Sequence, residues 1–253
     1  MILPLTAHEP APLAGVAALA LAYAALAARP GPRRWSRWRT ASFVTGCALL
    51  ALALAVPIGT GFPAHMAQHL LIGMLAPTAL VLGAPMTLVL RSLPPPYARR
   101  VTAVLRRGPV RVLGHPVTAL LLSTGGMAAL YCTPLYRLSQ TGMLPHHLLH
   151  LHFLLAGYLF AWSVAGPDPA PRRPSVPFRL VVLGVAVAVH AGLAQLMYAG
   201  LLVDVPAPPG ELRAAAELMY YGGDLAELLL ALALVTTWRP VKQPELTKSE
   251  LVN

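Results

Sequence analysis

Cysteine is nearly absent: Cys47 and Cys132 stand in separate apolar stretches with no CxxC spacing, which excludes a disulfide framework and a zinc ribbon. Charge is scarce as well. Charged residues make up 11% of the 253-residue chain and hydrophobic ones 57%, a balance that rules out an ordinary soluble domain. The chain lacks an HExxH motif, a phosphate loop and a nucleophile triad, so catalysis is not expected of it. Acidic residues number only nine, leaving a formal charge of +10. The arginines lie in short clusters between apolar runs, where they serve as topology signals and contacts for anionic membrane lipids, and nucleic acid is rejected as a partner.

What the chain does have is a series of long apolar runs. Turn residues divide them into spans near 11–28, 40–57, 65–90, 113–133, 146–166, 178–200 and 215–238, on the scale of a hydrocarbon core about 30 Å thick. The expected fold is all-α, a seven-transmembrane helix bundle forming one domain over residues 1–240, with a short cytoplasmic tail at 241–253. Pro77 and Pro85 in the third run predict a kinked or tilted helix, or a span leading into a short helix at the membrane surface. The first run precedes five arginines, the reverse of a cleavable signal peptide, and is expected to be retained. Seventeen of the nineteen Lys and Arg fall in alternate connections and the tail, with only Arg137 and Arg213 on the opposite side. The positive-inside rule then places the N-terminus outside and the C-terminus in the cytoplasm. Trp35, Trp38, Trp162 and Trp238 are expected as interfacial anchors, and Gly73, Gly157, Gly192, Gly222 and Gly223 as points of close helix approach.

On that topology the histidines sort to one side. His65 and His69 occupy the outer end of span three; His146, His147, His150 and His152 occupy the first turns of span five; His190 lies in the outer half of span six, and His8 on the outer tail. Only His115, at the inner start of span four, breaks the trend. His65 and His69 are spaced i, i+4, as are His146 and His150, so each pair projects from one helix face toward a shared ion, whereas His152 points roughly opposite to His150. Met66 and Met143 flank the clusters, Met197 lies one heptad beyond His190, Met219 starts span seven, and Cys132 ends span four. Imidazole with soft sulfur favours copper, particularly Cu(I), with Met66, Met143, Met197 and Cys132 as additional ligands. Asp224 and Glu227 are ionisable groups within span seven, where Glu217, Tyr220 or Tyr221, and Asp224 recur on one stripe; these residues are expected to orient histidines by hydrogen bonds or to move protons.

The stretch His65-Met66-Ala67-Gln68-His69-Leu70-Leu71, then Leu82-Gly83-Ala84-Pro85, then His150-Leu151-His152 through Trp162 resembles the CtaG family of cytochrome c oxidase assembly proteins. The resemblance continues through His190-Ala191-Gly192 to Met197 and through Glu217-Leu218-Met219-Tyr220-Tyr221-Gly222-Gly223-Asp224. It implies a factor of the bacterial plasma membrane that helps copper reach a haem-copper oxidase subunit, with His65, His69, His152 and His190 matching the motif histidines and His146, His147 and Asp224 beside them. Many relatives carry a Gln-rich segment followed by Gly-Gly-Met-Trp near the last span, where this chain has Met219-Tyr220-Tyr221-Gly222-Gly223. Three alternatives stay open on the residues alone: zinc in place of copper, a haem protein passing electrons between facing histidines, and a metal- or proton-coupled transporter using His190, Asp224 and Glu227.

Overall fold

A computed structural model of the chain describes residues 10–30, 34–55, 59–170 and 173–238; His8, Arg33, Arg172 and the basic tail lie outside the described residues. Among the described residues all regular structure is helical. Helices α1 (Pro10–Ala27) and α2 (Arg37–Ala55) form a hairpin against α3 (Gly61–Leu70) and α4 (Ala76–Leu82), which are joined by one wide π-type turn, Leu71–Leu75. Short helices follow: α5 (Pro85–Ser92), α6 (Pro95–Leu105) and α7 (Gly108–Leu113). A second interrupted helix comprises α8 (Pro116–Leu120), a π-type turn at Leu121–Gly125 and α9 (Gly126–Cys132). After the single-turn α10 (Leu135–Ser139) come three long helices, α11 (Met143–Ala165), α12 (Val176–Ala199) and α13 (Pro209–Thr236).

Five helices are long and apolar enough to cross a membrane: Arg37–Ala55, Gly61–Ser92, Met143–Ala165, Val176–Ala199 and Pro209–Thr236. The other two expected spans appear as the shorter apolar helices Ala11–Ala27 and Pro116–Cys132. At about 1.5 Å per residue each runs to about 26 Å, somewhat less than the hydrocarbon thickness of about 30 Å.

Proline explains how the third run departs from one straight helix. Pro77 has no N–H to give to the carbonyl of Gly73 one turn back, and the wide turn falls just there. The Gly73 carbonyl lies against Gly157 of α11, where any β-carbon would collide with it. The run ends at Gly83 and Ala84, whose left-handed backbone (φ 52°) precedes Pro85. The Tyr23 hydroxyl donates to the Gly83 carbonyl (2.7 Å), and a β-carbon at Gly83 would press on Phe43. Beyond the break the buried Asp168 takes the first amides of α5: its carboxylate accepts from Met86 N–H (3.1 Å), Thr87 N–H (2.7 Å) and the Thr87 hydroxyl (2.6 Å). A carboxylate at a helix N-terminus satisfies orphan donors and complements the helix dipole.

The chain turns build two chemically different ends. One end holds the starts of α3, α11 and α13 and the close of α9 and α12; it carries the histidines. The other holds α5 to α7 and the loop after α11; it carries the arginines. Trp162 corrects one expectation: it is buried and packs on Gly114, because its end of α11 is roofed by the segment leading into α8. Trp35 is half-buried, donating to the Tyr23 hydroxyl (3.0 Å) with Arg39 and Arg91 over its ring, while Trp38 and Trp238 are exposed, as interfacial anchors require. Gly192 also departs from expectation, since nothing lies within 4 Å of where its β-carbon would stand.

Candidate functional site at the histidine end

Helix α3 is pinned where the site begins. Gly61 takes a left-handed backbone (φ 74°), and the Glu211 carboxylate of α13 accepts the Phe62 N–H at 2.8 Å. A side chain on Gly61 would collide with that carboxylate. Four residues on, His65 is buried in an aromatic frame: Phe62 stacks at 5.9 Å between ring centres, and Tyr136 meets it edge-on at 5.1 Å. His69, one turn deeper, is buried against the edge of Phe153 (4.4 Å) and beside Tyr131 (6.1 Å). Burial and the Glu211 carboxylate push the Tyr136 phenol up to about 12, so it remains a neutral hydroxyl.

The N-terminal turns of α11, which packs on the π-type turn and α4, lie at the same end of the bundle. The His146 and His150 rings lie 4.3 Å apart, as their i, i+4 spacing demands, and both are close enough to His65 to interact with it electrostatically. His147 touches His146 alone among the rings, at 6.2 Å. His152 sits on another face, against Gly126 of α9, where any β-carbon would strike its ring. His65 and His69 on α3 and His146 and His150 on α11 thus lie at one end of the bundle, but among the described residues no three of them form a group that could hold one ion, and His147 and His152 lie on other faces. His115 stays apart; its Nδ1 accepts the Val117 N–H (3.3 Å) at the start of α8.

His190 forms a second, deeper station. It is 3% exposed, and its Nδ1 stands 3.6 Å from Oε1 of Glu227, itself 5% exposed. Gly223 makes the room: its β-carbon would overlap the His190 ring. A cavity of about 30 Å³, large enough for a water, connects the stations and is lined by His69, Gly73, Met74, Ser123, Met127, Phe153 and His190. The expected orienting residues of span seven need correction. Glu217 and Tyr221 are exposed, Tyr221 at 71%, and Asp224 forms no ion pair with a histidine among the described residues. Glu227 takes the position beside the histidine because it is one turn from Gly223, whereas Asp224 is turned about 100° away.

The sulfur atoms divide in the same way. Met66, Met197 and Met219 are wholly buried in one apolar cluster with Phe62, Tyr131 and Met127, and the Tyr131 hydroxyl donates weakly to the Met66 sulfur (3.8 Å). Met143 and Cys132 are exposed. Sequence reasoning did not single out Tyr131, Tyr136 or Glu211. The only available signal was their position near the ends of helices at the end rich in histidine.

The arrangement leaves buried polar atoms without partners: His65 Nε2, His69 Nδ1, His146 Nδ1, His190 Nε2 and Glu227 Oε2. Each such atom is costly in an apolar interior unless a water, proton or metal ion meets it. Among the described residues no three His, Cys, Asp or Glu side chains form a ready ligand set. Among the described residues these side chains do not form the closed tetrahedral cage of a structural metal.

Uncharacterized proteins of Mycobacterium bovis and Mycobacterium tuberculosis are each 37% identical to the chain over 190 residues, covering 68% of it and 28% of their own length. One of Mycobacterium leprae is 33% identical over 168 residues, 62% of this chain and 26% of its own. The chain thus spans little more than a quarter of the curated relatives it matches. No solved structure matches it. Residues 17–240 match the family described as cytochrome c oxidase caa3 assembly factor, and the chain belongs to that family.

Proposed function

We propose that this protein is a cytochrome c oxidase assembly factor that accepts copper at the outer side of the bacterial plasma membrane and presents it to a haem-copper oxidase subunit, as a carrier without catalysis of its own. The chain crosses the membrane seven times in this reading, with the histidine end outside and the arginine end in the cytoplasm. The two short apolar helices span by local thinning of the bilayer. The observation that carries the proposal is the set of four buried imidazole nitrogens without partners at one end of the bundle. A carrier must release what it binds, and stations with few ligands each suit exchange better than a saturated cage does. Met66, next to His65 in sequence and buried in the apolar cluster with Phe62 and Tyr131, supplies soft character to the entry.

Two alternatives receive less support. Haem needs a flat slot between opposed histidines, and the space beside His69 and His190 is only about 30 Å³. A translocation path would need polar stations beyond His190 and Glu227. On the described helices α3, α4, α11 and α13 no histidine or acid lies between those two residues and the arginine end.

The test is copper analysis of the detergent-purified protein with oxidase activity measured in the same strain. His65→Ala with His69→Ala is expected to lower bound copper and oxidase activity together at an unchanged protein level in the membrane. Unchanged copper content would overturn the proposal, as would a Soret band in the wild-type protein.

A further inference from the structure

At the opposite end of the molecule basic residues outnumber acidic ones among the described residues. Between Glu9 and Asp168 the sequence holds no acidic residue, while Arg99, Arg100, Arg106, Arg107 and Arg111 fall on α6, α7 and their junction. None of these five forms an ion pair with a carboxylate among the described residues, where the ion pairs are Arg137 with Asp204 and His190 with Glu227. Asp168, the acid closest by, already uses both carboxylate oxygens on Met86 and Thr87. The contrast with Arg137 is direct: that arginine gives two hydrogen bonds to Asp204, at 3.0 and 2.6 Å.

Two of the arginines converge on a cavity. Arg106 and Arg111 line a space of about 340 Å³ with Thr102, Leu105, Pro169 and Ala170. Arg111 reaches back to the Arg106 carbonyl (3.4 Å), a single bond that leaves most of its guanidinium donors unused. Thr102 contributes no donor, since its hydroxyl bonds to the carbonyls of Ala98 (3.1 Å) and Arg99 (2.9 Å). Neither α6 nor α7 buries a residue, and Tyr97, Val104, Val112 and Leu113 are exposed beside the arginines. Apolar side chains mixed with unpaired guanidinium groups suit the boundary between acyl chains and headgroups.

We propose that Arg106 and Arg111 form a binding site for the phosphate of an acidic phospholipid, with α6 and α7 lying on the membrane surface and the headgroup in the cavity. The inference rests on the membrane reading and is independent of copper. Guanidinium donors match phosphate oxygens in pairs, and the cavity accommodates a headgroup whose chains leave along the apolar side chains of α6 and α7.

Native mass spectrometry of the full chain, released from nanodiscs of phosphatidylcholine with or without phosphatidylglycerol, tests it. The wild type is expected to retain phosphatidylglycerol in preference to phosphatidylcholine. Arg106→Gln with Arg111→Gln is expected to bind it about thirtyfold more weakly. Arg34→Gln with Arg37→Gln, which removes the same charge elsewhere, is expected to retain it like the wild type. Equal retention of the two lipids by the wild type, or undiminished retention by the Arg106 and Arg111 variant, overturns the proposal. Displacement of the lipid by millimolar inorganic phosphate would mark a site for free anions and also overturn it. If that variant does not fold, the comparison of the two lipids on the wild type decides alone. Copper content serves as the independent readout: its loss in the His65 and His69 variant leaves lipid retention unchanged.

Discussion

The two ends of the bundle handle charge in opposite ways. At the histidine end, acidic side chains are held by the protein's own groups, buried or not: Glu211 takes the Phe62 amide, the buried Glu227 faces His190, and Asp204 pairs with the exposed Arg137. At the arginine end a single acid among the described residues, Asp168, organises a helix start, and the guanidinium groups of α6 and α7 form no ion pair with a described carboxylate. The difference teaches where to look for each kind of partner. A small cation belongs where buried donors lack partners, and a large anionic surface belongs where exposed cations do.

One glycine substitution at each end breaks the comparison most sharply. Gly223→Val drives a side chain into the His190 ring, and Gly108→Ala in α7 meets nothing within 4 Å. Overpacking at Gly223 is expected to cost about 3 kcal/mol, while Gly108→Ala is expected to be neutral or to stabilise by up to about 1 kcal/mol. Thermal unfolding in detergent checks both, and a Gly223 variant as stable as the wild type would mean that His190 has room to move.

Much of the fold was legible in the sequence, because apolar run length and proline position are local properties. The span near 146–166 became α11, Pro77 marked a real irregularity, and the i, i+4 spacing of His146 and His150 set their rings 4.3 Å apart. Pairing between distant helices was not legible. Asp224 and Glu227 look alike along the sequence, and only the approach of α12 to α13 at Gly223 selects Glu227 as the neighbour of His190. Trp162 read as an interfacial anchor for the same reason: nothing local shows that Gly114 will cover it. Glu211 and Asp168, which hold helix starts 149 and about 81 residues away in the chain, carry no local signal of their partners.

A second prediction concerns Asp168. Replacing it with Ala removes three hydrogen bonds, two of them from the first amides of α5. The loss is expected at about 2 kcal/mol, with faster amide exchange confined to α5 at the arginine end. Exchange spreading equally to α3 and His65 would show that the two ends are not independent.

An effect absent at neutral pH is expected on alkaline stability, and it belongs to Tyr136. Its phenol is pushed up to about 12, by burial first and then by the Glu211 carboxylate, whereas an unfolded chain releases a tyrosine proton near 10. Below both values the proton is bound in either state and the group adds no pH dependence. As pH rises through about 10 the unfolded chain loses its proton first, so the folded state loses stability across the window up to about 12. Tyr136→Phe removes that dependence and should flatten the alkaline limb of the unfolding curve. Glu211→Gln should flatten it only slightly, since burial is the larger cause. An alkaline limb identical in wild type and Tyr136→Phe would mean that the ring at the mouth of the His65 pocket is open to water, and with it the His65 nitrogen that it helps to bury.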